Sequence, residues 1–200
     1  LRILREFSDF LRPYLPELID GARFIGEIDF IRAKAQVAMQ MEAGKPIISE
    51  DETLKRVKGR HPILEATLKK EKKQIVPLTL TLTPDKHILV ISGPNAGGKS
   101  VCLKTVGMLQ YMFQWGLLVP ASEVSEFRIF DDIFIDIGDE QSIENDLSTY
   151  SSHLTNMKEV LQRATDSSLV LIDEFGTGTE PTAGGAIALA ILENIELKGV

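Results

Sequence analysis

"ILVISGPNAGGKS", residues 88–100, decides how the rest of the chain is read. An apolar run leads into glycines at 93, 97 and 98, and Lys99 and Ser100 follow at once. Glycine loses more backbone entropy on folding than any other residue and has no side chain to bury, so this density makes a poor core. It does leave consecutive backbone N–H groups bare, and bare amides gathered in a turn make a nest for anions. Gly93, four residues, then Gly98, Lys99 and Ser100 fit the phosphate-loop spacing, with the flanks that pattern requires: an apolar strand before and an amphipathic helix after. Pro94, Asn95, Ala96 and Gly97 complete the loop, and Val101 follows it as a further nucleotide-contacting position. The helix opening at Lys99 adds the positive end of its dipole. Lys99 is expected to reach the β- and γ-phosphates of ATP, and the Ser100 hydroxyl to ligate Mg²⁺.

A phosphate loop alone leaves that metal half-coordinated. The other half is "SLVLIDEFG", residues 168–176, an apolar run with Asp173 and Glu174 at its end. A strand buried in a sheet can deliver an acid to the carboxyl edge, where ligands bind in open α/β sheets. Asp173 suits the outer metal ligand, and Glu174 beside it is placed to orient or deprotonate an attacking water. Two further stretches stand out. "DLSTYSSH", residues 146–153, reads as a helix start in which Asp146 or Ser148 caps the helix; a serine there also suits contact with a γ-phosphate from a second subunit. "GTGTEPTAGGA", residues 176–186, carries more glycine than a helix start needs and suggests a loop at a subunit contact.

Around these motifs the chain is ordinary globular material: 200 residues, 44% apolar and 26% charged. Its net charge of −7 argues against this segment being the main grip on nucleic acid. No run reaches the length of a membrane helix. The single cysteine, Cys102, has no internal partner and reads as a structural thiol in a reducing cytoplasm. A start at Leu1 and an end at "ELKGV" suggest a piece of a longer protein, cut before its last strands.

Residues 1–50 read as a helical arm, with Leu1, Leu4, Phe7 and Leu11 on one face and Pro13 and Pro16 interrupting. A second helix places Phe24, Ile28, Ile31, Ala35 and Ala38 at three- and four-residue steps and ends by Gly44 and Pro46. From residue 51 the texture changes to short apolar bursts, read as strands through "RHPIL" and "KKEKKQIVPLTLTLTPDKHILVIS", with Lys69–Lys73 as a solvated hairpin tip. His61 before Pro62 reads as a turn or packing histidine. Helices follow over Lys99–Trp115, Thr149–Arg163 and Thr182–Leu197, with strands near 127–130, 133–137 and 168–173. Alternating strands and helices predict an α/β fold with a mainly parallel sheet flanked by helices.

"SGPNAGGKS", "GDEQSIENDLSTYSSHLTN" and "LVLIDEFGTGTEPTAGGA", in that order and spacing, resemble the ATPase domain of the MutS family. The text "GDEQSI…LST-aromatic-SSH" with "GTGT-x-P" is more similar to the second bacterial branch, MutS-II, than to mismatch-repair MutS. The resemblance covers residues 58–200. It implies an ABC-type P-loop ATPase in which Gly93–Ser100 hold the triphosphate and metal, Asp173 binds the metal through water, and Glu174 is the base. It also implies that Ser148 acts in trans on the nucleotide of a partner protomer, in a homodimer with two composite sites. Adenine packing, aromatic in mismatch-repair MutS, would fall here to aliphatic Ile75. The family's sensor histidine would lie beyond Val200. DNA would be gripped mainly by regions outside this chain, with branched or recombination-intermediate DNA as the substrate and a nuclease module elsewhere in the full protein. Three rivals are a mismatch-recognition protein, a transporter nucleotide-binding domain, which "LSTYSSH" disfavours because it lacks a Gly-Gly-Gln signature, and a non-hydrolysing interaction module.

Overall fold

The computed structural model describes residues 2–94, 97–138, 146–173 and 180–200, with the side chains of residues 146–152 and 181 left outside that description. The chain divides into two compact units, Leu1–Glu42 and Ala43–Val200. The first holds α1 (Arg2–Leu11), a 3₁₀ turn over Arg12–Tyr14, and α2 (Leu15–Gln40). Pro13 and Pro16 each sit in the opening turn of a helical segment, where a missing N–H costs nothing. Glu42 then adopts positive φ at 49°, past the end of α2 and before the Gly44–Pro46 stop that composition marks.

The second unit contains β1 (Ile47–Ile48), β2 (Leu54–Gly59), α3 (Pro62–Lys70), β3 (Leu78–Leu82), α4 (Lys99–Gln114), β4 (Glu126–Phe127), β5 (Asp132–Asp136), α5 (Asp146–Arg163), β6 (Ser168–Ile172) and α6 (Pro181–Leu197). Two features depart from the sequence reading. "RHPIL" opens a helix, because His61 caps it, Pro62 occupies its first turn, Glu65 faces its positive end and Lys69 and Lys70 its negative end. The lysine cluster is solvated, as expected, but it closes that helix and is no hairpin tip.

The larger departure concerns the sheet. In place of one mainly parallel sheet there are two among the described residues: a four-stranded mixed sheet in the order β1-β4-β2-β3 and a parallel pair, β5-β6. Only β1-β4 is parallel in the first sheet; β2 pairs antiparallel with both β3 and β4. Residues 88–92, expected as the strand before the glycine loop, carry no strand pairing, and Leu89 and Val90 are exposed. A cleft of about 260 Å³, lined by Leu82, Leu89, Ile91, Leu103, Leu169 and Leu171 among others, lies between this segment and β6. Apolar character alone made the expectation, whereas a strand exists only where a neighbour offers its edge.

The β5-β6 pair behaves as a buried parallel pair should. On one face Leu169 and Leu171 join Leu54, Val106 of α4 and Phe130 in a buried cluster. On the other, Val170 and Ile172 pack with Met157 and Val160 of α5, Ala164 just after it, and Ile191 and Ile195 of α6. Covering both faces with helices explains why "SLVLI" is apolar at consecutive positions.

Candidate functional site

β5 and β6 run in register from Asp132 opposite Ser168 to Asp136 opposite Ile172. Their carboxyl ends therefore finish together, and the amide of Asp173 donates to the carbonyl of Asp136 at 2.9 Å. Both aspartates are buried. A buried carboxylate is costly unless donors meet it. Asp136 has two, both from α5: Nδ1 of His153 at 2.7 Å from Oδ2 and Nδ2 of Asn156 at 2.8 Å from Oδ1. A spacing of three puts these donors on one helix face.

α4 brings the glycine loop to the same edge. Its far end is tied below the start of β5, since the Gln114 side chain bonds both the N–H and the carbonyl of Phe130, at 3.2 and 3.0 Å. Midway, Gly107 faces the last turns of the strands: a Cβ added there would stand 2.9 Å from Leu171 Cδ1 and 3.8 Å from Ile135 Cδ1. The helix thus runs antiparallel to the strand pair. Ser100 stands about 10 Å further along it than Gly107, at 1.5 Å per residue. Asp173 stands about 7 Å beyond Leu171, at 3.3 Å per residue. Both displacements point past the carboxyl ends of β5 and β6.

The loop geometry matches its composition. Gly98, directly before α4, is left-handed at φ 79°, and Gly93 has φ 151°, conformations that strain an L side chain. The Lys99 ammonium donates to the carbonyls of Gly93 at 2.8 Å and Pro94 at 3.0 Å, and the Gly97 amide donates to Pro94 at 2.9 Å. These are exposed contacts with neutral oxygens. An anionic oxygen attracts an ammonium more strongly than a neutral carbonyl does.

Other expected positions divide as follows. Asn95, Ala96 and Glu174 lie outside the described residues, as does the side chain of Ser148, whose backbone is in the first turn of α5. Ile75 is half-buried in the coil before β3, on none of the elements that make this edge. His61 accepts from the Leu64 amide at 3.3 Å through Nδ1, and burial holds its imidazole below the ordinary histidine range. Burial likewise raises the thiol of the half-buried Cys102, which suits a structural role. No helix among the described residues is long and apolar enough to cross a membrane.

Residues 89–199 match the family described as MutS domain V. The chain belongs to the MutS family. Within it the similarity runs to the MutS2 branch: the chain is 46% identical over 198 residues to "Endonuclease MutS2" of Ligilactobacillus salivarius, covering 99% of this chain and 24% of that protein. It is 46% identical over 199 residues to the protein of the same description from Carboxydothermus hydrogenoformans, covering 100% and 25%. For that of Clostridioides difficile the figure is 45% over 198 residues, covering 99% and 24%. The chain therefore spans about a quarter of the length of these curated relatives.

Reading this MutS-family chain by motif passed over Asp136, His153 and Asn156. A signal was there: "IFID", residues 133–136, is a second apolar run ending in aspartate, like "LVLID", and His153 and Asn156 sit one helical turn apart in the following helix.

Proposed function

We propose that the chain is the ATP-binding and hydrolysing part of a MutS-like DNA-binding protein, in which residues 51–200 form an ABC-type P-loop ATPase and residues 1–50 an arm leading into it. The observation that carries this reading is the packing of Gly107 of α4 against Leu171 and Ile135, which aims the glycine-led N-terminus of the helix toward the strand ends followed by the buried Asp173. The donor set fits the proposed ligands: an ammonium and successive amides suit a triphosphate, and a hydroxyl with a carboxylate suits a hard cation such as Mg²⁺. Mg²⁺, when bound, would neutralise charge on the phosphate oxygens.

The chain's own residues supply the rest. Gly93, Pro94, Asn95, Ala96, Gly97 and Gly98 would wrap the phosphates, with Val101 behind them; Lys99 would hold the terminal phosphates, and Ser100 and Asp173 the metal. Glu174 would orient the attacking water and take its proton. Ile75 would offer an aliphatic surface to adenine. Ser148 would cap the γ-phosphate bound by the partner protomer, so the active form would be a homodimer with two shared sites. In a protein of the relatives' length, a further strand laid in the cleft beside β6 would complete the mainly parallel sheet.

ATP would then bias open against closed dimers and change the grip of DNA-binding regions outside this chain. The substrate in this reading is branched or recombination-intermediate DNA, in a bacterial cytoplasm at the nucleoid; the relatives' description as endonucleases supports a nuclease module elsewhere in the full protein. Binding of the full-length protein to four-way junctions against mismatched duplex separates this from mismatch recognition. For the nucleotide site, a non-hydrolysable ATP analogue at 100 times its dissociation constant should add about 2.7 kcal/mol of stability. An unchanged melting temperature at that concentration, with Lys99→Ala as control, sinks the reading.

A further inference from the structure

Two polar ties hold α5 to the strand pair, one at its C-terminal end and one at its middle. Near its C-terminus Arg163 Nη2 lies 3.7 Å from Asp132 Oδ1, with both side chains about half exposed. Midway along the helix the tie is the buried Asp136, gripped by His153 and Asn156. Between them the contacts are apolar, made by Met157 and Val160. Apolar packing is non-directional, so it presses a helix onto a sheet without fixing its register. Hydrogen bonds are directional and do fix it.

Asp136 also faces two ways. Its carboxylate holds α5, while its backbone carbonyl accepts the amide of Asp173. The chain leaving β5 crosses the imidazole, since a Cβ on Gly138 would come 3.6 Å from His153 Nε2. Ser148 precedes His153 by five residues, about 7 to 8 Å along the helix axis.

We propose that Asp136, His153 and Asn156 are positioning residues that lock α5 to the edge carrying Asp173, and so set how Ser148, five residues before His153 on the same helix, meets the nucleotide of a partner subunit. This rests on the ATPase reading above. The unit makes the metal-bearing strand end and the trans-acting helix start a single rigid part, and a shift at one is felt at the other.

The test uses the full-length protein and Mg-ATP. His153→Ala should fold, as followed by circular dichroism and melting, and should bind a fluorescent ATP analogue with unchanged affinity. Its kcat and ATP-dependent dimerisation should fall about 10- to 100-fold, the usual cost of a misplaced group. His153→Asn, which returns a donor near the Nδ1 position, should recover most of the loss, and Arg163→Ala should show none. Asn156→Ala removes one donor of two, should give the same split at smaller size, and stands in if alanine at 153 does not fold. Unchanged kcat and dimerisation in a folded His153→Ala, nucleotide affinity falling in step with kcat, or no rescue by asparagine each overturn the proposal. A wild type that does not bind the analogue overturns the ATPase reading as well, and so is told apart from failure of the positioning unit alone.

Discussion

The two ends of α4 are built to opposite specifications. At its C-terminal end Leu109 and Gln110 are fully buried. The Gln110 amide accepts from Arg56 and donates to Gln114 at 2.7 Å and to the Arg128 carbonyl at 2.8 Å. Arg56 lies over the Phe127 ring at 3.3 Å and donates to the Glu126 carbonyl at 2.7 Å. Burial draws this guanidinium down to about 9, so it remains charged at neutral pH and is held by neutral oxygens. At the other end Lys99 donates to the carbonyls of Gly93 and Pro94 in exposed contacts, and Val101 is 41% exposed. One helix thus carries an anchor that cannot move cheaply and a tip that can exchange its partners. Low-stability elements are where binding sites are drawn from, and a fixed anchor keeps such a tip aimed.

Substitutions at the two ends should therefore separate activity from stability. The largest effect is expected at the tip. Lys99→Ala should lower ATP turnover about 10²- to 10³-fold, as loss of a transition-state charge contact does. Its melting temperature should stay at the wild-type value, and a marked drop there would merge the two ends after all. Next comes the anchor. Gln110→Leu leaves a buried guanidinium short of an acceptor and should cost about 3 kcal/mol in urea unfolding, with nucleotide affinity of the folded protein unchanged. A cost under about 1 kcal/mol would mean the network is incidental.

Gly107 lies between the two ends and sharpens the contrast. Gly107→Ala meets the tips of two flexible side chains, Leu171 closely and Ile135 at ordinary contact, whereas Gly107→Val should cost about 1–3 kcal/mol by overpacking. Valine should also reduce turnover, because it pries the tip from β6; equal effects of alanine and valine would refute this. The smallest effect lies away from α4, at the α3 cap. His61 is held neutral by burial, so its contribution is complete above the unfolded value near 6.5 and is lost as pH falls below it. The loss should stay near or below about 1 kcal/mol, the worth of a cap. His61→Asn keeps a capping acceptor and should flatten that part of the pH profile relative to wild type.

Much of the site was legible because it is local. The glycine spacing, the lysine and serine opening α4, and the aspartate just after β6 depend on neighbours in the chain, and the lysine and serine sit in the helix expected of them. The segment 88–92 was misread for the complementary reason: its apolar residues are compatible with a strand, but pairing depends on a distant edge. Residues 62–70 were misread because the apolar pattern of "PIL" outweighed cap and dipole signals that lay in plain view.

By itself the sequence determined the glycine turn, the longer helices and the apolar faces, since these follow from φ/ψ limits and from three- to four-residue periodicity. Only the tertiary structure decided that Asp136 meets His153 and Asn156, and that Arg56 meets Gln110 and Phe127. Those partners are 17 to 54 residues apart for the hydrogen bonds. A polar side chain far along the chain has no local preference for its partner. Desolvation in the finished core makes each unmet donor or acceptor costly, and that cost selects which pairs form.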